Sequence, residues 1–323
     1  QNGIAEGALV PSLIDQWGLK SLLIPAALAQ WTSSDGRVAG FPYEGFTWPV
    51  WYNMEILQKA GISDIPKTTD ELIAAAAKIR AAGFQPLVVG GKDWSGNKLF
   101  SLIIQTMLSD QELIDLYTNG NWSDPKVKAA IDLFTKLRDA KVFSDNVEGL
   151  TADNMDADFR GGKAAIEFGG SWGYAGLPAA DALNVVLGGF PLPTGAARDK
   201  PVMYIGFSDT GFWISPNGAQ KLDAVRAFIT YWYRPEVAGS FTDKVGVYMA
   251  VPADKLDFDK SKLNTLFAQS VADLPGKTTT VAFPDLYVPA EFNSAFERAT
   301  SLAYTPGAST DAIVQALLQA WQK

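Results

Sequence analysis

Between Phe41 and Tyr52 lie six aromatic side chains, Phe41, Tyr43, Phe46, Trp48, Trp51 and Tyr52, with one carboxylate among them, Glu44. Aromatic faces fill large cores, and they equally suit sugar rings, whose axial C–H groups present an apolar surface. A carboxylate beside them can accept hydroxyl hydrogens in strong, charge-assisted bonds. Pro42, Gly45 and Pro49 interrupt the run; in strands such residues mark edges, bends or close backbone approach. Residues 36–57 therefore read as a chain leaving one packed unit and entering another. Phe41, Trp51 and Tyr52 are expected in the core. Tyr43, Glu44, Phe46 and Trp48, which alternate around the bend, are the ligand candidates. Trp94 joins them, placed by the pattern in a Gly-rich loop after a strand, at the carboxyl end where α/β clefts form.

Other chemistry is narrowly bounded. The chain has no cysteine and no histidine, which removes thiolate nucleophiles, most zinc sites, most catalytic triads and the commonest general base. Carboxylate-only glycoside hydrolysis remains, and needs two carboxylates about 5–10 Å apart across a cleft. Glu44 and Asp209 are the obvious pair, and no catalytic motif surrounds either. Gly90-Gly91-Lys92 and Arg160-Gly161-Gly162-Lys163 lack the Gly-Lys-Ser/Thr ending of a phosphate-binding loop.

With 323 residues, 47% hydrophobic and 19% charged, the chain fits a globular protein of about two domains. Its net charge of −8 argues against nucleic acid or an anionic membrane surface as partner. No apolar run approaches membrane-spanning length. The apolar patch Leu22–Ala29 lacks the basic flank of a signal peptide and reads as helix or loop.

The elements that would position these residues alternate between helix and strand. A strand is expected over 37–42, then a helix over 54–60 ended by Gly61. Thr68 or Thr69 caps a helix over 70–82, with Glu71 in capping-box spacing to Thr68. Residues 86–89 form a strand, 97–109 an almost wholly apolar helix, and 110–117, 124–140 and 151–159 further helices. Strands follow at 164–168 and 185–193. Met203–Ser215, carrying Ser208 and Asp209, and Val247–Pro252, carrying Tyr248, repeat the character of the first crossing: extended and broken by Gly or Pro. Helices fill 222–233, 235–244, 261–271, 290–302 and 309–322. This rhythm is α/β.

Three segments carry a resemblance to a known family: GRVAGFPYEGFTWPVWYNMEILQKAGI followed by PKTTDELIAAAAKI; DFRGGKAAIEFGGSW; and GFSDTGFWISPNGAQKLDAVRAFITYW. Together they resemble the extracellular solute-binding proteins of bacterial ABC importers, in the carbohydrate-binding family that includes the maltose-binding protein. The element order is similar over essentially the whole chain. The resemblance implies a two-lobed, periplasmic-binding-protein-like α/β fold with the ligand in the interlobe cleft. One lobe would take residues 1–43 and 209–247, the other 50–207 and 250–323, with hinge crossings near 44–49, 205–210 and 246–250. Family members begin with a strand, a helix and a strand that found the first lobe. Gln1 falls after them, so the first lobe is expected to be incomplete, with any signal peptide and lipid-anchoring cysteine preceding it.

The resemblance also implies a monomer that is not an enzyme, with no cofactor, no metal and no nucleic acid. Its partners would be a mono- or oligosaccharide and the importer's permease subunits. It would be periplasmic, or extracellular and lipid-anchored to the cell membrane. Trp172 matches the family's Gly-x-Trp turn, whose indole stacks on a sugar ring. Tyr43, Glu44, Phe46 and Trp48 match a stretch that points into the cleft. Ser208 and Asp209 of the second crossing and Tyr248 of the third complete the candidates. The alternatives are a non-sugar ligand, such as a polyamine or glycerophosphodiester, and a carboxylate-based glycosidase. Many rings with few acids favour sugar.

Overall fold

The computed structural model describes residues 13–32, 36, 38, 40–257, 259 and 263–322, with the side chains of Ser208 and Asp209 outside that description. Among the described residues the strands are β1 Phe41–Trp48, β2 Val50–Asn53, β3 Gln85–Val88, β4 Ala164–Glu167, β5 Val185–Gly188, β6 Val202–Phe212, β7 Tyr248–Met249 and β8 Thr279–Thr280. They form two four-stranded sheets, ordered β7-β1-β6-β8 and β3-β4-β2-β5.

Strands β1 and β6 pair antiparallel from Phe41↔Phe212 to Trp48↔Tyr204. The expected strand at 37–42 thus starts later and runs further. Val38 makes an isolated bridge to Thr32, while Arg37 and Ala39 lie outside the described residues. The register shifts on both sides of Glu44. Bulges of this kind bend a strand and re-aim its side chains, and here they absorb Pro42 and Gly45 without ending the strand. In consequence β1 feeds two separate hydrophobic cores. Phe41 and Tyr43 belong to a smaller one, with Leu13, Ile14, Ala27, Ile229, Tyr233 and Met249. Phe46 and Trp48 belong to a larger one, with Trp51, Tyr52, Leu87, Ile166 and Leu187. β6 divides likewise: Val202, Met203 and Tyr204 enter the larger core and Phe207 the smaller. Tyr248 of β7 packs against both.

The changeover falls on glycines. Phe46 sits opposite Gly206, where an added Cβ would stand 2.7 Å from the tip of its ring. The Phe207 ring covers Gly45 in the same way. Helix Pro25–Gln30 holds β6 at this level. The Gln30 side chain accepts from the Phe207 N–H, and the Trp31 indole N–H donates to the Phe207 carbonyl. Pro49, which has no N–H to continue a ladder, separates β1 from β2, and β2 enters the other sheet between β4 and β5. Phe41, Trp51 and Tyr52 are buried as expected.

Side-chain caps set most helix starts. Thr68 Oγ1 accepts from the Glu71 N–H at 3.1 Å, while Glu71 returns its bond to Lys67 N at 2.7 Å, one residue before the capping-box position. The apolar helix is Trp94–Gln105, starting three residues before its expected position because Asp93 caps it. Trp94 is therefore the first residue of a helix and not part of a loop. The expected helix over 261–271 is Thr265–Ala272, since Asn264 accepts from Leu266 and Phe267 N–H; Ser261 lies outside the described residues. Among the described residues no helix is long and apolar enough to cross a membrane.

Gly206→Ala should destabilise the protein by about 1–3 kcal/mol, the usual cost of overpacking a filled site, because Phe46 must yield. Urea unfolding against wild type measures it, and an unchanged midpoint would show that the ring has room to move.

Candidate functional site

Phe46 and Trp48 form the floor of an aromatic cluster whose other members come from distant segments. The Trp48 ring centroid lies 5.4 Å from Trp94 and 4.9 Å from Trp172, both edge-on. Trp94 and Trp172 are 5.9 Å apart, and Phe46 is 5.9 Å from Trp172. Exposure divides the group: Trp48 is 2% and Phe46 6% exposed, against 41% for Trp94 and 39% for Trp172. Two indoles thus stand open to solvent on a buried aromatic base.

Each indole is fixed by local chemistry. Asp93 Oδ1 caps the Trp94 helix at Ser95 N (3.0 Å), and its Oδ2 accepts from Ala152 N (2.7 Å) at the start of helix Ala152–Arg160. One carboxylate therefore pins two helix starts, each of which favours negative charge. Trp172 lies in a 3₁₀ turn, Ser171–Gly176, and its six-membered ring folds over Gly170, which has no side chain to obstruct it. Ser171 Oγ accepts from Thr47 N at 3.2 Å, and Tyr174 OH meets Thr47 Oγ1 at 3.3 Å, tying the turn to β1. The Trp48 indole donates to the Phe168 carbonyl at 3.1 Å, and its ring stacks on Phe168 at 4.8 Å.

The other candidates lie elsewhere. Tyr43 is buried in the smaller core, its ring 4.9 Å from Trp232 and 5.4 Å from both Phe212 and Phe241. Glu44 pairs in register with Thr210 and Met249. Burial raises its carboxyl above the ordinary carboxylate value, opposed by a hydrogen bond with the Thr210 side chain. Tyr248 packs on Phe267 at 4.9 Å, and its hydroxyl lies 3.2 Å from Ser270 Oγ, so it ties β7 to helix Thr265–Ala272. Ser208 and Asp209 lie on β6, their side chains outside the described residues.

The sequence reading passed over Phe283 and Lys98. The Phe283 ring is 5.1 Å from Phe46 and 6.4 Å from Trp48. Lys98 is buried beside it, its ammonium 5.3 Å from the ring centroid and 2.7 Å from Asp285 Oδ1. Lys98 follows Trp94 by one helical turn and so shares its face. A lone lysine in an apolar helix was the available signal, since a buried cation needs a partner.

Residues 5–239 match the family described as bacterial extracellular solute-binding protein. The chain belongs to that family. Among solved members of similar structure, a probable secreted solute-binding lipoprotein from Streptomyces coelicolor is 39% identical with a TM-score of 0.83, covering 98% of this chain and 80% of that one. A chitin oligosaccharide binding protein is 22% identical with a TM-score of 0.82, over 97% of this chain and 78% of that one, which is a likeness of fold. A probable sugar-binding periplasmic protein of Rhizobium meliloti (strain 1021) is 34% identical over 155 residues, 46% of this chain and 36% of the relative. The chain thus matches little more than a third of that relative's length. The solute-binding fold accounts for the two sheets and the strands shared between the two cores.

Glu44→Gln should raise the melting temperature at neutral pH and leave it unchanged below about pH 4, near the unfolded value for Glu. A carboxyl raised in the folded state contributes stability below its unfolded pKa and loses it as pH rises through the folded one. Thermal melts at pH 4 and pH 8 measure this; an equal effect at both would show that burial of the charge is not the cause.

Proposed function

We propose that the protein is the substrate-binding component of an ABC importer. It captures a sugar or oligosaccharide and delivers it to membrane permease subunits, working outside the cytoplasmic membrane, periplasmic or lipid-anchored. The observation that carries this reading is the pair of exposed indoles, Trp94 and Trp172, on the buried floor of Phe46 and Trp48. Such faces stack on sugar rings, each contact contributing roughly 0.5–1.5 kcal/mol beyond area burial. The printed name of the Rhizobium relative points the same way.

No bond is broken in this reading. The two cores act as lobes, and the changeovers at Gly45, Gly206 and Tyr248 act as the hinge about which they close. Glu44 lies at that hinge, held by Thr210, and serves as an acceptor for ligand hydroxyls; a glycosidase would need a second carboxylate facing it across the cleft.

Titrating the protein with mono- and oligosaccharides, including chitin, xylan, laminarin and maltose fragments, should shift or quench tryptophan emission for at least one of them. No response across the panel would sink the sugar reading. Trp172→Ala should weaken that binding by at least about tenfold, equal to roughly 1.4 kcal/mol, with the fold still cooperative. Trp213→Ala, which removes an indole exposed against Trp31 in the other part of the molecule, should leave it unchanged. Equal losses in both variants would remove the stacking role from Trp172.

A further inference from the structure

We propose that the ligand is a zwitterionic sugar, one carrying an ammonium and a carboxylate beside its ring, and that a charged cavity next to Trp94 reads those two groups. The inference rests on the reading above in taking Trp94 as ligand surface, and it adds the class of sugar.

The cavity has a volume of about 600 Å³, within the roughly 300–1,000 Å³ of small-ligand sites. Three segments wall it. Helix Asn293–Ala303 contributes Ser294, Glu297, Arg298 and Ser301, whose spacing of three and four residues sets them on one face. Lys92 comes from the loop that leads into Trp94, and Glu148 from the 3₁₀ turn Val147–Gly149. The three segments are tied together at their base. Gly91 N donates to the Val147 carbonyl and Lys92 N to the Leu150 carbonyl, each at 3.1 Å, and Ser301 Oγ donates to the Gly91 carbonyl at 2.9 Å. The charged side chains thus stand on a fixed frame, the condition for a preorganised site.

Lys92 and Arg298 bring two cations to this cavity and Glu148 and Glu297 two anions, and among the described residues none of the four is in an ion pair. Elsewhere on the same core opposite charges close up: Lys126 on Glu112, Lys128 on Asp311, Lys136 on Asp70 and Arg160 on Asp156, all within 3.0 Å. Opposite charges that line one cavity without touching leave a gap for a ligand between them, and the charges decide what fills it. A neutral hydroxyl would take water from these groups without returning a countercharge, and a desolvated charge is costly unless it is paired. A ligand of one sign would satisfy one pair and strand the other. A ligand of both signs satisfies all four side chains, its carboxylate taking Lys92 and Arg298 and its ammonium Glu148 and Glu297. Two residues of chain span at most about 7 Å, so Lys92 and Trp94 lie within reach of one such molecule, with its ring on the indole and its ionic groups in the cavity. Asp93, between them, is held by two helix starts and does not compete.

The test compares four related single-ring probes of different charge: muramic acid, a zwitterion; glucosamine, a cation; N-acetylmuramic acid, an anion; and N-acetylglucosamine, which is neutral. Binding is measured by calorimetry at about pH 6, where the probe amines are protonated and the probe carboxyls ionised, beside the neutral sugars already described. Muramic acid should bind at least about tenfold tighter than each of the other three, and its advantage should shrink in high salt. Arg298→Gln should weaken muramic and N-acetylmuramic acids and leave glucosamine unchanged. Glu297→Gln should weaken muramic acid and glucosamine and leave N-acetylmuramic acid unchanged. Far-ultraviolet circular dichroism checks the fold; Lys92→Gln and Glu148→Gln read the same two preferences should either variant fail to fold. Muramic acid bound no tighter than N-acetylglucosamine, or preferences that survive in the variants, would overturn the inference, and the sugar reading would still stand on the tryptophan response to the neutral sugars. Silence of the probes and the neutral sugars together would remove both.

Discussion

The antiparallel pairing of β1 with β6 is the constraint on which the rest depends. Two strands run side by side out of one hydrophobic core and into another. Their hydrogen bonds join the cores, and their side chains must serve both. Side chains on a strand alternate between faces, and a shift of register sends the following residues to the other face. The irregularities around Glu44 fall between the two cores, with Tyr43 in one and Phe46 in the other. Phe46 over Gly206 and Phe207 over Gly45 fill the junction without side chains at the two glycines. The interior there is closely packed.

The aromatic site is a consequence of that geometry. Phe46 and Trp48 are the first residues of β1 inside the larger core, so they lie at its boundary. What surrounds them decides whether the boundary is a core edge or a surface. Trp94 arrives at the start of a helix that is otherwise buried, and Trp172 on a turn tied to β1 through Thr47. Both stay open because the helix cap and the turn hold them at the rim. Buried Trp48 and Phe168 stiffen the base, so the exposed rings lose little freedom when a flat apolar partner covers them. That is how a rigid site limits the entropy cost of binding.

Lys98 and Asp93, two charged groups close to this base, are both paired. Lys98 is neutralised by Asp285 beside Phe283. Asp93 spends both carboxylate oxygens on two helix starts. These pairings explain why a chain of net charge −8 presents aromatic carbon, and not a charge cluster, at the site. They also place these ionisable groups behind the rings, where they set position and do not meet the ligand first.

Much of this was legible in the chain itself. The alternation of helix and strand, the Thr68 cap and the burial of Trp51 and Tyr52 follow from local pattern, because propensity, capping and amphipathicity act over a few residues. Local pattern failed where a distant or side-chain partner decided the outcome. Trp94 read as loop because the Asp93 cap, one carboxylate serving two helices, has its second half at Ala152. Tyr43 and Phe46 looked alike in the crossing, and only the packing against distant segments puts one in the smaller core and the other at the site floor. Lys98 and Phe283 went unread because Asp285 and the rings that give them meaning lie far along the chain. The amino-acid sequence by itself determined which residues could stack and where helix and strand would alternate. Tertiary structure alone decided which rings meet, since a ring's neighbours and its exposure are set by segments that sequence distance does not relate.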